Sequence, residues 1–178
     1  MGGVVMDLKI RGDVMHAKDP KTIFLARNIV CDETVAIDTG FKPFSSENAS
    51  TDFKITMKLS AATHHTAQAV AIGCKYEGTI SGQQWPGFYV RFSSATVFEV
   101  GGYNYWKPAI SDVVGHTLYI WRKNGSWKAQ IDNGTVQNLS VRVATFNQPI
   151  VIGAGLQTNG TYFRYANCVY DYIRIEYI

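Results

Sequence analysis

The chain has 178 residues, of which 17% are charged and 13% are aromatic, and its formal net charge at pH 7 is +3. This length suits one domain with a sizeable core, and few charges with many aromatic and β-branched residues favour an all-β globular protein. No run of Lys or Arg concentrates the positive charge, so we expect no nucleic-acid partner.

The first segment, residues 1–21, differs from the rest. It is Gly-rich at its tip and has no apolar period, and Met1–Ile10 lacks the basic and apolar regions of a signal peptide. The pattern at Asp7–Arg11 is compatible with a strand that pairs with a neighbouring subunit. We therefore predict an N-terminal arm, a candidate for homo-oligomer contacts, followed by one folded domain over residues 22–178 without a membrane span.

Turn-forming residues recur at short intervals along that domain, and almost nothing between them has a helical period. Such spacing is typical of a β-sandwich or barrel. The predicted strands are Thr22–Asn28, Thr34–Thr39, Asp52–Ser60, Ala67–Tyr76, Gly87–Ser93, Thr96–Val100, Thr117–Lys123, Trp127–Asp132, Val141–Ala144, Pro149–Gly153 and Val169–Ile178. Long loops are expected at Phe44–Thr51, Thr79–Pro86, Gly101–Asp112 and Leu156–Asn167.

Alternation of apolar and polar residues assigns faces to several strands. The side chains predicted to share the apolar faces are Phe53, Ile55, Met57 and Leu59, then Phe88, Val90 and Phe92, then Ile173, Ile175 and Tyr177. Tyr89 and Arg91 are predicted to lie on the face opposite Phe88.

The stretch His116–Gly134 predicts a hairpin, because Asn124-Gly125 suits the two positive φ angles of a type I′ turn. A two-residue loop fixes the register, with Leu118 opposite Ile131 and Ile120 opposite Ala129. Tyr119 and Trp121 then share the other face with Gln130 and Lys128. That face is either a recognition surface or covered by another strand or subunit.

Three cysteines, Cys31, Cys74 and Cys168, are present without C-x-x-C spacing. An odd number fits neither a disulfide framework nor a zinc site, so we expect buried free thiols, with one bridge left open.

The order of several short pieces resembles the concanavalin A-like lectin/glucanase superfamily, specifically its laminin-G-like jelly-roll domains of bacteriophage and bacterial surface proteins. The pieces are Ala36–Pro43, Asp52–Leu59, Ala71–Gly73, Gly87–Phe92, His116–Gly134, Ile150–Ala154 and Tyr170–Tyr177. The resemblance implies a two-sheet antiparallel jelly-roll sandwich over residues 22–178. Its members bind carbohydrate or protein, hydrolyse glucans, or serve as structural modules.

Catalytic patterns are weak. The paired acids of a retaining glucanase need one strand face, whereas Glu33 and Asp38 fall on opposite faces, as do Asp171 and Glu176. A Ser111, Asp112 and His116 trio lacks a nucleophile elbow. The pair His64-His65 and the scattered aspartates show no metal-site spacing, so we expect no metal and no cofactor.

Binding residues have more support. Trp85 and the run Tyr103-Asn104-Tyr105-Trp106 place flat rings beside glycines, with Arg91 nearby to hydrogen-bond hydroxyls. Sugars stack on such rings, and protein interfaces favour the same residues. The alternative is that these rings plug the ends of the sandwich. The candidate ligand-binding residues are Trp85, Arg91, Tyr103, Asn104, Tyr105, Trp106, Tyr119 and Trp121.

These observations predict a non-catalytic adhesion or surface-display module. Its expected place is a virion, as capsid decoration or tail fibre, or a cell surface, and its expected partner is a glycan or a neighbouring subunit of a larger particle. The alternative is a glycoside hydrolase or lyase of the same superfamily with a diverged active site.

Overall fold

A computed structural model describes residues 20–62, 68–94, 97–109 and 112–178. Most of the predicted N-terminal arm, including Asp7–Arg11, lies outside these residues. Within them every regular element is a strand. No helix in this part of the chain has the length and apolar character needed to cross a membrane.

Sixteen strands follow one another along the chain. They are β1 (Thr22–Asp32), β2 (Ile37–Asp38), β3 (Phe53–Ala62), β4 (Val70–Lys75), β5 (Thr79–Ile80), β6 (Gln83–Gln84), β7 (Gly87–Ser94), β8 (Val97–Gly101), β9 (Tyr105–Trp106), β10 (Thr117–Lys123), β11 (Ser126–Ile131), β12 (Gln137–Asn138), β13 (Val151–Ile152), β14 (Gly155–Leu156), β15 (Tyr162–Phe163) and β16 (Asn167–Tyr177).

The strands form two main antiparallel sheets, which confirms the predicted all-β jelly-roll sandwich. Sheet A has the order β1-β16-β3-β10-β11-β12, and sheet B has the order β2-β13-β4-β7-β8-β9. Two short hairpins, β5-β6 and β14-β15, accompany them. Some neighbouring strands, such as β10 and β11, are consecutive in the chain, whereas others, such as β1 and β16, come from its two ends.

The predicted hairpin is confirmed residue by residue. Leu118 pairs with Ile131, Ile120 with Ala129, and Trp121 with Lys128. Both turn residues have positive φ, 49° at Asn124 and 75° at Gly125, as a type I′ turn requires.

The core lies between the sheets and is filled from both. The predicted apolar faces are buried, including Phe53, Ile55, Phe88 and Val90 at 0% exposure. Tyr177 is the exception on its face, at 42% exposed near the end of β16. The alternation of apolar and polar residues along the strands therefore predicts which side chains form the core.

One predicted strand is wrong. Val141–Ala144 forms no strand, and the short β12 lies upstream of it at Gln137–Asn138. The reason is that this segment bonds across the rim of sheet B: Gly87 N donates to Arg142 O (2.8 Å) and Gly102 N donates to Ser140 O (3.1 Å). The predicted loops at 79–86 and 156–167 also hold the two short hairpins.

Arg122 is a buried cation that ties the connection between β2 and β3 to sheet A. It is 2% exposed. Its guanidinium donates to the carbonyls of Pro43 (2.9 Å), Asn48 (2.5 Å) and Thr51 (2.9 Å). Burial lowers the pKa of Arg122, yet three carbonyl acceptors compensate the buried charge.

We expect Arg122→Met to lower the free energy of unfolding by about 3 kcal/mol, because three acceptors lose a charged donor. Urea denaturation measures this, with the exposed neighbour Lys123→Met as the matched control. Equal stability of the two variants would contradict the role assigned to Arg122.

All three cysteines are free and buried, which confirms the expected thiol state. Cys31 on β1 and Cys168 on β16 are register partners, whereas Cys74 donates its thiol to Gln148 O at 3.1 Å. Burial raises the pKa of Cys168 to about 12, and it also raises the pKa values of Cys31 and Cys74.

Because the thiolate is the reactive form, we expect no thiol to react with dithiobis(nitrobenzoate) at neutral pH in the folded protein. All three should react after denaturation in guanidinium. Rapid labelling of the native protein would contradict the burial of these side chains.

Candidate functional site

The outward side of sheet B has a row of alternating tyrosines and glycines across four strands. Gly73 on β4 pairs with Tyr89 on β7, Tyr89 pairs with Gly101 on β8, and Gly101 pairs with Tyr105 on β9. A Cβ on Gly73 would lie 2.4 Å from Tyr89 Cδ1 and 2.6 Å from Phe88 O. Glycine at this position is what lets the Tyr89 ring lie against the sheet.

Lys75 is the central cation of this side. It is 7% exposed, and its Nζ donates to Tyr105 Oη at 3.0 Å. The same Nζ lies 5.7 Å from the ring centroid of Trp85, 5.5 Å from that of Tyr89 and 5.4 Å from that of Tyr105. Three π faces therefore take over part of the solvation that water gives an exposed ammonium.

Three arginines surround this ammonium. Burial lowers the pKa of Lys75 to about 8; Glu77 opposes the shift, and the nearby positive charges of Arg91, Arg164 and Arg142 add to it. Burial likewise raises the pKa of Tyr105 to about 12. Four cations thus share a small region with two carboxylates, those of Glu77 and Glu99.

Arg91 is fixed from two sides. Its Nε donates to Glu99 Oε1 at 2.6 Å, and its guanidinium carbon lies 3.7 Å from the centroid of the Tyr105 ring. Lys107 Nζ lies 3.7 Å from the second oxygen of Glu99. The carboxylate is therefore shared between two cations, while the Arg91 plane is held flat on an aromatic ring.

Two more arginines lie at the border of this region. Arg142 stacks on Tyr103, with its guanidinium carbon 3.4 Å from the ring centroid, and donates to Gln84 O at 2.8 Å. Arg164 lies 5.0 Å from the Phe163 ring centroid and 4.0 Å from Glu77 Oε1. Among these rings the solvent reaches mainly Tyr103, 48% exposed, and Trp85, 42% exposed.

We call this region the cationic–aromatic face, and its members are Lys75, Arg91, Arg142, Arg164, Trp85, Tyr89, Tyr103 and Tyr105. Two of the buried polar atoms beside its cations, Tyr89 Oη and Glu77 Oε1, lack a hydrogen-bond partner within the described residues.

The structure separates the eight candidate residues into groups. Trp85, Arg91, Tyr103 and Tyr105 come together on the cationic–aromatic face. Asn104 is exposed beside them and bridges to Ser140.

The other three candidates lie elsewhere. Trp106 pairs with the inward-facing Val100 and packs, half-buried, against the core rather than beside the other candidate rings. Tyr119 and Trp121 lie on the outer side of sheet A and line a separate pocket.

Sequence reasoning missed Lys75, Arg142 and Arg164. Lys75 follows the apolar run Val70–Cys74 and has the pattern of an ordinary strand end. Arg142 lies in a segment predicted as a strand, and Arg164 in a predicted loop. No local pattern indicates that these three positions converge.

In the described part of the chain, the two members of the weak catalytic trio that can be placed have other partners. His116 Nδ1 contacts Asp132 Oδ2 at 2.6 Å, and Asp112 instead accepts from Val114 N at 2.9 Å. Ser111 and the pair His64-His65 lie outside the described residues. In the part of the chain that is described, no group of three His, Cys, Asp or Glu side chains is arranged to hold a metal ion.

No protein-family model matches the sequence, and no curated protein sequence matches it. Solved structures do resemble the fold. NanB sialidase of Streptococcus pneumoniae (K499G mutant) superimposes with a TM-score of 0.62 and 14% identity, over 89% of this chain and 27% of that one. The chain thus spans a minor part of the sialidase.

The IT-sialidase CBM40 of Ruminococcus gnavus bound to α2,3-sialyllactose superimposes with a TM-score of 0.54 and 13% identity, over 87% of this chain and 91% of that domain. Its complex with α2,6-sialyllactose gives a TM-score of 0.51 and 12% identity, over 87% and 92%. At these identities the likeness shows the fold, a β-sandwich of the kind used by carbohydrate-binding domains. The expectation of a laminin-G-like type remains a prediction.

We expect the Lys75 ammonium to lose its proton near pH 8, because burial and three arginines disfavour its charge. Heteronuclear NMR of the lysine side chains measures the midpoint, and the signal is assigned by its loss in Lys75→Met. A midpoint above pH 10 would show that the aromatic rings do not enclose the ammonium.

Proposed function

We propose that this chain is a non-catalytic carbohydrate-binding module and that its cationic–aromatic face binds an acidic glycan. The observation that carries the proposal is the convergence of Lys75, Arg91, Arg142 and Arg164 around aromatic rings, against only two carboxylates. An anionic group on the ligand would relieve the repulsion among these cations.

The chemistry of the face suits a sugar acid in two ways. Guanidinium groups bind carboxylates with paired hydrogen bonds, and the Arg91 and Arg142 planes are already oriented by Tyr105 and Tyr103. The exposed rings of Trp85 and Tyr103 offer flat surfaces to the apolar C–H faces of a pyranose. One neighbouring fold, the CBM40 domain, is bound to sialyllactose, whose terminal sugar is itself a carboxylic acid.

Several features support a binding role over hydrolysis. The Glu99 carboxylate beside the face is engaged by Arg91 and Lys107, and that of Glu77 by Arg164. Carboxylates that neutralise neighbouring arginines are poorly suited to donate a proton or attack a sugar. The neighbours matched over nearly their whole length are carbohydrate-binding domains.

Adhesion or surface display on a virion or cell is the wider role that we propose for this module. Its support is the resemblance of the motif order to laminin-G-like jelly rolls of phage and bacterial surface proteins. A neighbouring subunit is the alternative partner, because exposed tyrosine, tryptophan and arginine also suit protein interfaces.

We expect 3′-sialyllactose to bind and neutral lactose to bind far more weakly. Arg142→Ala and Tyr103→Ala should each weaken sialyllactose binding by about 1–3 kcal/mol, or roughly 5- to 150-fold in Kd, by analogy with the loss of a stacked ring. Isothermal titration calorimetry measures this, and Arg27→Ala, an exposed arginine on sheet A, is the control.

The same titration should depend on pH. Lys75 is a cation below about pH 8 and neutral above it, so affinity for the acidic sugar should fall as pH rises through that value. Equal effects of Arg142→Ala and Arg27→Ala, or equal binding of lactose, would contradict an anion site on this face. Binding to a particle subunit with no glycan binding would favour the protein-partner alternative.

A further inference from the structure

A second concave region lies on the opposite layer, on the outer side of sheet A. It is an open pocket of about 400 Å³ whose walls include Tyr119, Trp121, Lys54, Lys123 and Gln130. This volume lies within the range of small-molecule sites. The pocket is built on strands of the sheet rather than on long loops, so its walls are held by the hydrogen-bonded ladder.

The register explains how the rings and cations are placed. Trp121 on β10 pairs with Lys54 on one side and with Lys128 on the other. Tyr119 pairs with Gln130 on β11, and the Lys54 ammonium lies 4.6 Å from the centroid of the Tyr119 ring. Both rings are half-buried, so part of each side chain remains accessible to solvent.

Two lysines, Lys54 and Lys123, and one aspartate, Asp132, lie in the wall of the pocket. The carboxylate of Asp132 is engaged by His116 Nδ1 at 2.6 Å and by Thr117 N at 2.8 Å. Glu176, across the ladder from Lys54, lies 2.9 Å from Arg174. With both carboxylates engaged by other groups, the two lysines supply the positive charge of the pocket, Lys54 from its position over the Tyr119 ring.

The position of the pocket argues against a peptide occupant. β10 lies between β3 and β11 and is hydrogen-bonded to both, so no strand edge is open there for an extended peptide to extend the sheet. A helix would need an elongated apolar groove, whereas lysines and an amide share this short pocket with the rings. An oligosaccharide suits this pocket because its C–H faces can stack on the two partly exposed rings while its hydroxyls bond to the polar side chains.

We propose that this pocket is a second glycan site, one that binds an acidic oligosaccharide by stacking on Tyr119 and Trp121 and by charge attraction to Lys54 and Lys123. The anionic group is a carboxylate or a sulfate ester. With the cationic–aromatic face on the other layer, the module then binds on both sides of the sandwich and links two chains or two segments of one chain. Such bivalent attachment raises avidity without new contacts.

The test uses a background in which the first face is weakened, the double variant Arg142→Ala/Tyr103→Ala. The probes are tetragalacturonate, which carries carboxylates, and a heparin-type tetrasaccharide, which also carries sulfates. We expect one or both to shift the Trp121 indole N–H signal in NMR titrations. Trp121→Ala in this background should weaken binding by about 5- to 150-fold, the loss expected for one stacked ring.

Arg27→Ala, an exposed residue on β1 outside both proposed sites, is the control and should leave this binding unchanged. Since Trp121 is half-buried, Lys123→Glu provides a second variant that alters only an exposed charge; we expect it to weaken binding by about tenfold or more through like-charge repulsion. The Trp121 indole signal reports on this pocket and not on the first face, so the two proposals fail separately.

Absence of any Trp121 shift with both oligosaccharides would overturn the proposal. The proposal would also be overturned if poly-L-glutamate of matched charge bound as tightly as the oligosaccharides and displaced them fully. The pocket would then recognise negative charge, including that of an acidic peptide, and not a sugar.

Discussion

The cationic–aromatic face depends on the Tyr89 ring lying flat against sheet B, where Gly73 leaves room for it. A methyl group on Gly73 would collide with the ring and with the carbonyl of Phe88. The ring in turn forms the floor beneath Lys75, with the ammonium 5.5 Å from its centroid. The position of the central cation therefore depends on the absence of a side chain at Gly73, two residues before Lys75 on the same strand.

A cation in this position has little water around it, which changes the strength of its interactions. In water two charges a few ångströms apart interact weakly, whereas near protein and aromatic surfaces the effective dielectric is lower. The lowered pKa of Lys75 shows the cost of this placement, and the three neighbouring arginines add to it. The anionic ligand that we propose would offset both terms, because its charge would stabilise the Lys75 ammonium and reduce the repulsion among the cations.

Both outward faces follow from the same two-residue alternation that builds the core. On β7 the inward-facing Phe88 and Val90 alternate with Tyr89 and Arg91 on the outer side, where Tyr89 is itself covered, and on β10 the buried Leu118 and Ile120 alternate with Tyr119 and Trp121. One strand thus supplies the hydrophobic layer with one set of side chains and a candidate binding surface with the other. Arg122 is an exception to this alternation of apolar and polar side chains. It is a cation that faces inward, where three backbone carbonyls accept its hydrogen bonds.

The sequence by itself determined the all-β class, the hairpin register through Asn124-Gly125 and the inward faces, because turn chemistry and alternation act between near neighbours. It also drew attention to Trp85, Arg91, Tyr103 and Tyr105. Only the tertiary structure placed Trp106 against the core, moved Tyr119 and Trp121 to the opposite layer, and brought Lys75, Arg142 and Arg164 together. The reason is physical: the cluster combines side chains from β4, β7, β9 and the segments around Arg142 and Arg164, which are separated in the chain, so no local period indicates it.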